Sequence, residues 1–177
     1  DVVQVDHDNV GACKELVTVL FAKGIQNIAY LGSNMDQMVN RCRYQGYEEA
    51  YRKGKRKLNQ DLVYTDLSSR AMVEKAVEEL KNSGVECILC QDDYICDEVV
   101  RKLARMGVRI PDQMKVASCH YSRVLENYPI TITSLKFNIT ELGRRSCQVL
   151  LDMIHGKTVP DKTLLDYEII LKESTKG

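Results

Sequence analysis

Apolar residues return at helical spacing in four stretches of the chain, and each stretch follows a short apolar run that reads as a strand. Residues 2–5 form the first such run. Asn9 then opens a helix whose stripe is Cys13, Leu16, Val17 and Leu20, and Gly24 stops it. The unit repeats with a strand over 25–31 and a helix over 43–53, which carries Tyr44, Tyr47, Ala50 and Tyr51 and stops at Gly54. Residues 61–65 read as a short strand. Ser69 caps a third helix with Val73, Ala76, Val77 and Leu80 on one face, ending at Gly84. A strand over 87–91 leads into a helix over 93–106 that ends at Gly107. Strands over 114–118 and 131–137, a helix over 138–155 closed by Gly156, and a strand over 164–171 complete the pattern.

Consecutive strand and helix pairs require right-handed crossovers, so the expected fold class is α/β, a parallel doubly wound sheet with helices on both faces. Pro111, Pro129 and Pro160 all fall in loops, as a residue without a backbone donor must. In open parallel sheets ligands bind at the carboxyl ends of the strands, where helix N-termini and loop side chains converge. Asp92 and Asp93 stand at such an end, after strand 87–91, and the function is expected in that crevice.

Composition narrows the field. With 177 residues, 44% hydrophobic and 28% charged, the chain suffices for one buried core, hence one domain or one and a fraction. Twenty-five basic residues balance twenty-five acidic ones, so this piece alone should attract nucleic acid or anionic membrane only weakly. Seven cysteines, an odd number scattered through strands and helices, suit a reducing compartment. There is no secretory leader pattern and no apolar run near about eighteen residues, so neither export nor membrane insertion is expected. A chain that opens on Asp1 without Met, directly into a strand, reads as a fragment or a processed form with sequence missing upstream.

Several chemistries find no support. Leu31-Gly32-Ser33-Asn34 follows the first complete strand with one glycine instead of G-x-G-x-x-G, and neither a P-loop nor a nucleophile elbow occurs. His7, His120 and His155 show no metal spacing. Cys87-Ile88-Leu89-Cys90 matches C-x-x-C, but residues three apart in a strand face opposite sides, which points to core packing. Cys42 and Cys119 lie nearer the crevice and are expected to be partly exposed. No metal, cofactor or catalytic residue is expected.

Four blocks carry a resemblance: Arg43-Tyr44-Gln45-Gly46-Tyr47; Gly107-Val108-Arg109-Ile110-Pro111-Asp112; Pro129-Ile130-Thr131 through Glu141-Leu142-Gly143; and Leu171-Lys172-Glu173-Ser174-Thr175. In that order and spacing the sequence resembles the effector-binding core of LacI/GalR-type transcription regulators, which join a helix-turn-helix head to two subdomains of periplasmic binding protein-like type I architecture. The resemblance implies that the head is absent here and that residues 1–136 and 164–177 form the C-terminal subdomain. Residues 137–163, a crossover and helix, would belong to an N-terminal subdomain that is otherwise missing. The apolar face of that helix, Leu142, Val149, Leu150, Met153 and Ile154, would then lack its cover, so the helix is expected to pack on another copy of the chain or to be poorly ordered.

The same resemblance implies an effector site at Arg43, Asp92, His120, Phe137 and Val39. The guanidinium of Arg43 offers paired donors to adjacent hydroxyls or a carboxylate; the plainer reading is a surface arginine at a helix start. Gly46 is read as packing, not contact. Asp92 stands where the family usually has Asn, and accepts without donating; either it or Asp93 instead caps the following helix, with Asp92 taken as the contact and Asp93 as the cap. At His120 the family commonly has an acid, and Ser118-Cys119-His120 replaces its Gly-Tyr-Asp or Gly-Phe-Asp turn. An imidazole there accepts through one nitrogen or stacks on a sugar face; the alternatives are a decayed site or a protein partner. Phe137 stacks on a ligand ring or plugs the gap between subdomains, and the plug is favoured.

The expected function is therefore the ligand-sensing and dimerising portion of a bacterial regulator, with a sugar-like small molecule as effector. It would act as a homodimer in the cytoplasm, make no membrane contact, and reach DNA only through the missing head. An exported solute-binding protein feeding a transporter is the alternative. An enzyme of flavodoxin-like or Rossmann-like type, using Asp92 and Asp93, is the third reading, and adjacent side chains at a helix start point apart, which makes them a poor acid and base couple.

Overall fold

Local rules account for most helix starts. The computed structural model describes residues 2–176. After β1 (Gln4–His7), the Asp8 carboxylate accepts the Gly11 N–H and opens α1 (Asn9–Ala22), which buries Cys13, Leu16, Val17 and Leu20. Strand β2 (Ile28–Leu31) leads to α2 (Met38–Lys53) and the two-residue β3 (Val63–Tyr64). Ser69 accepts the Met72 N–H to start α3 (Arg70–Leu80), whose stripe Val73, Ala76, Val77 and Leu80 is buried. There follow β4 (Cys87–Cys90), α4 (Asp93–Arg105), β5 (Lys115–Ser118), β6 (Thr133–Phe137), α5 (Ile139–Ile154), β7 (Lys162–Leu165) and β8 (Tyr167–Ile170).

Helix α2 starts five residues before the predicted 43–53, because Gln37 at its cap position makes no side-chain cap bond and leaves no signal in the sequence. Asn40 holds that end from within the helix instead, donating to the carbonyls of Ser33 and Asn34 at 2.9 and 3.0 Å. At the other end Gly54 keeps a helical φ of −74°. The left-handed step falls to Lys55, at φ 52°.

The main sheet has six strands in the order β3-β2-β4-β5-β6-β8. Every pair is parallel except β6 with β8. Helices α1 and α2 cover one face and α3 and α4 the other, each face with its own apolar cluster. Strand β4 divides between them, Cys87 and Leu89 on the α1/α2 side and Ile88 and Cys90 on the α3/α4 side. The two cysteines of C-x-x-C thus face apart, as period-two alternation requires. Tyr47 is wholly buried on the first face because its hydroxyl donates to the Ile28 carbonyl at 2.8 Å. An unbonded buried hydroxyl would cost about 1–3 kcal/mol.

Two expectations about strands require correction. The strand read at residues 2–5 does not join the repeated parallel set: β1 pairs with β7 in a separate two-stranded parallel sheet, Gln4 opposite Lys162 and His7 opposite Leu165. The single strand expected at 164–171 is two strands, β7 in the small sheet and β8 antiparallel on the edge of the large one, divided at Asp166. Leu164 to Ile170 has strand-forming character almost throughout, so only the pairing partners reveal the break. Helix α5 spans 16 residues and touches β1. Val149 is its one buried residue, and Ile139, Leu150, Leu151, Met153 and Ile154 are exposed.

Candidate functional site

Parallel registry aligns the carboxyl ends of the central strands, Leu31 beside Cys90 and Cys90 beside Ser118, so the loops after them open on one rim. Gln91 follows β4 and is wholly buried. Its side-chain carbonyl accepts the Ser33 N–H at 3.1 Å, and its backbone carbonyl accepts Arg43 Nη1 at 2.9 Å. Arg43 lies in the second turn of α2, where the close approach of α1 is made possible by Gly46: a Cβ there would meet the Val10 carbonyl oxygen at 2.4 Å and Cys13 Cβ at 2.8 Å. Arg43 Nε donates to Asn9 Oδ1 at 3.3 Å, and the guanidinium carbon stands 5.9 Å from the Phe137 ring centre.

Phe137 gathers the rest. The His120 ring stacks near it at 6.4 Å with planes 17° apart, and His7 packs on it at 4.9 Å. His7 Nε2 lies 3.3 Å from the Asn138 carbonyl. His120 Nδ1 is 3.0 Å from Asp93 Oδ1, and since a carboxylate can only accept, Nδ1 is the donor. Burial works to raise the Asp93 pKa. Hydrogen bonds from Ser122 and His120, with the imidazole's charge, outweigh it and hold the carboxyl below its ordinary range.

The capping role expected of Asp93 falls to Asp92. Asp92 is the cap of α4, accepting the Ile95 N–H at 2.9 Å, and Asp93 faces the histidine. The reason is geometric: the residue with extended backbone before the first helical turn aims its carboxylate at the open N–H groups, and that residue is Asp92, at φ −150°. The second oxygen of Asp92 lies 3.4 Å from Gln91 Nε2.

Arg43, His120 and Phe137 are thus brought together. Asp92 is on the adjoining loop, and Val39, half-buried in the first turn of α2, is one turn before Arg43. Cys119, expected to be partly exposed, is wholly buried, its sulfur 3.6 Å from that of Cys13 beneath the cluster. Burial, then the neighbouring thiol, pushes the Cys13 pKa up, so it stays a thiol. Asn9, Gln91 and His7 were not singled out as site residues, although they hold Arg43 and Phe137. Asn9 and Gln91 carry only helix-start and strand-end signals in the sequence, and their meeting with Arg43 depends on how β1 enters α1.

A cavity of about 840 Å³ opens beside the cluster, with His7, His120, Phe137, Asn138 and Tyr167 in its wall. Arg43 and Asp92 are not in that wall. The assembled groups are donors, acceptors and an aromatic face. Among the described residues no cluster of three or more His, Cys, Asp or Glu converges to hold a metal.

The profile of the periplasmic binding protein-like domain matches residues 17–175. The HTH-type transcriptional regulator CelR of Thermobifida fusca is 27% identical over 173 residues, 96% of this chain and 51% of CelR. The HTH-type transcriptional repressor CytR of Escherichia coli K12 is 21% identical over 173 residues, again 96% and 51%. Among solved structures, a CelR–cellobiose complex superposes with a TM-score of 0.86 at 26% identity, covering 98% of this chain and 54% of that one. The regulator CcpA of Lactococcus lactis superposes at 0.87 and 22% identity, covering 99% and 65%, a likeness of fold. The chain spans about half the length of the curated relatives it matches. With a profile match over most of its length and the sheet order and rim just described, the chain belongs to the periplasmic binding protein-like domain family, in the form of the effector-binding core of LacI/GalR-type regulators.

Proposed function

We propose that this chain is the ligand-sensing and dimerising part of a LacI-type transcription regulator. It holds a small, sugar-like effector at the rim where Arg43, His120 and Phe137 meet. It acts by binding alone, makes and breaks no bond, and needs no cofactor. The carrying observation is where that rim lies. Three chain crossings join the large sheet to the small one, at His7–Asn9, Phe137–Ile139 and Leu165–Tyr167, and two of them touch the cluster directly through His7 and Phe137. Asp8 N–H donates to the Leu165 carbonyl at 3.1 Å and ties the third to the first. A ligand at this rim therefore bears on the links between the two sheets.

On this reading the segment 137–163 belongs to an N-terminal subdomain whose principal sheet lies in sequence outside this chain, and the separate sheet moves β1 and the end of β7, first counted with residues 1–136 and 164–177, to the same subdomain. The exposed apolar face of α5 supports it. An effector between the subdomains prefers one arrangement over the other by its difference in affinity, about 1–3 kcal/mol, and so biases the spacing of DNA-binding heads in a homodimer. The cellobiose complex of CelR, a similar protein, supports the sugar class of effector. The cytoplasm, where DNA is and thiols stay reduced, is the corresponding compartment; all seven cysteines are free.

The test is a thermal-shift screen of the full-length protein against sugars, nucleosides and amino acids. A true effector at about 100 times its Kd stabilises by about 2.7 kcal/mol. It should also change retention on operator DNA, and Arg43→Ala should abolish both responses. No stabilising compound, or an unchanged response in Arg43→Ala, would remove the reading.

A further inference from the structure

The even balance of charge over the whole chain conceals an uneven distribution. Residues 52–57 read Arg-Lys-Gly-Lys-Arg-Lys, five cations in six positions, at the close of α2. Arg56 donates to the Gln26 side-chain carbonyl and lies 4.3 Å over the Phe21 ring, which brings this run against the end of α1 and its Lys23. Lys23, Arg52, Lys53, Lys55 and Lys57 are all exposed. Among the described residues only Arg52 of this group has a carboxylate within reach, that of Glu49 at 3.8 Å. Glu86, the acid beside Gln26, is taken up by the backbone N–H groups of Gln26 and Asn27 at 2.7 and 2.8 Å.

A helix dipole favours cations in the last turn, which accounts for Arg52 and Lys53. It does not account for Lys55. Helices α1, α3, α4 and α5 are each followed by a glycine in the left-handed region, Gly24, Gly84, Gly107 and Gly156, at φ 89°, 77°, 66° and 71°. After α2 a lysine takes that step, at φ 52°. A side chain in this region strains the backbone where glycine would not, so the position carries its charge at a cost in stability.

Location and surroundings select the partner. Both helices end at the amino end of β2, opposite the rim and the crossings to the small sheet, so a second subdomain packed across those crossings leaves the patch open. None of the exposed large apolar side chains lies in 21–27 or 50–58, so the patch has nothing to insert into a bilayer or to anchor a protein partner. Phe21 and Tyr51 are buried, which leaves no ring on which unpaired bases could stack. What remains is an array of ammonium and guanidinium groups that matches a regular row of phosphates. We propose that this patch is a second, sequence-independent contact with the phosphate backbone of duplex DNA. It is separate from the effector rim and goes beyond the reading above, in which DNA is reached through the heads.

The test is binding of the full-length protein to operator-free duplex DNA across a range of salt, with Lys53→Gln, Lys55→Gln and Lys57→Gln combined. Each phosphate contact contributes about 0.9 to the slope of log K against log salt, so the triple variant should lose about 2–3 from its magnitude and bind at least about tenfold more weakly at about 50 mM salt. Arginine at the same three positions should keep the wild-type slope. Lys55→Gly should melt higher than wild type while binding duplex more weakly, a pairing that a purely structural lysine would not produce. A wild-type slope in the triple variant overturns the proposal. So does binding of phosphatidylserine vesicles or polyglutamate that is as tight as that of duplex and equally lost in the variant, since that marks general attraction of anions. Neither result bears on the effector rim, which the three substitutions do not touch.

Discussion

Asp92 spends one oxygen on the Ile95 N–H at 2.9 Å, and that bond satisfies one of the open donors of α4. Replacing it by Ala should lower stability by about 1 kcal/mol, whereas Asn, which caps as well, should stay within a few tenths, as denaturant midpoints of the two variants would reveal. Asp93 gives a different signature. Its folded pKa is depressed, so the stability it contributes is fully present above the unfolded carboxyl value near about 3.9 and is lost as pH falls through the lower folded one. Asp93→Asn should therefore be less stable than wild type above about pH 4, with the gap closing as pH falls further. Urea midpoints measured from pH 2 to 5 would test this, and a gap that widened below about pH 4 would refute it. The sequence locates this acidic pair at the right strand end but does not divide its roles, because both residues are good caps and only the extended φ of Asp92 decides between them.

At the scale of elements, stripe and cap were legible together wherever both existed. Helices α1, α3 and α4 carry a side-chain cap and a clear apolar face, and their starts follow from the sequence within a residue or so. Helix α2 has the face without the cap, and only its core half was readable. Strands β1, β7 and β8 were recognisable as extended segments, but membership in a sheet depends on partners far away, as Gln4 opposite Lys162 makes plain. The contact between α1 and α2 turns on one glycine. Gly46→Ala forces a Cβ to within 2.4 Å of the Val10 carbonyl oxygen, so the helices must part, at a cost of about 1–3 kcal/mol. Gly143, inside α5, is the control: a Cβ there meets nothing within 4 Å, and Gly143→Ala should stabilise by about 0.5–1 kcal/mol through helix propensity. Thermal unfolding of the two variants should move in opposite directions.

For the whole molecule, the crevice was placed by strand topology, and Arg43, His120 and Phe137 by likeness to a family. Asn9, Gln91 and His7 escaped both routes, since each acquires its position from the crossings between sheets and not from any local pattern. Those crossings also frame the last prediction, which concerns what lies on their far side. Leu150 and Ile154 are 57% and 69% exposed on α5. In the 177-residue chain, Leu150→Glu with Ile154→Glu should change stability by no more than about 0.5 kcal/mol, as surface substitutions do, and should reduce self-association. If a second subdomain covers this helix in the full-length protein, the same pair of substitutions loses the burial of two large side chains, about 1.5–3 kcal/mol each, and strands two charges in an apolar contact. Melting both forms of the protein with and without the substitutions separates the cases. A drop confined to the full-length protein marks the face as an internal joint, and through it explains how an effector gripped beside His7 and Phe137 could move one subdomain against the other. Equal, small effects in both would mean that α5 faces water in the complete protein, and that its apolar surface serves association between copies instead.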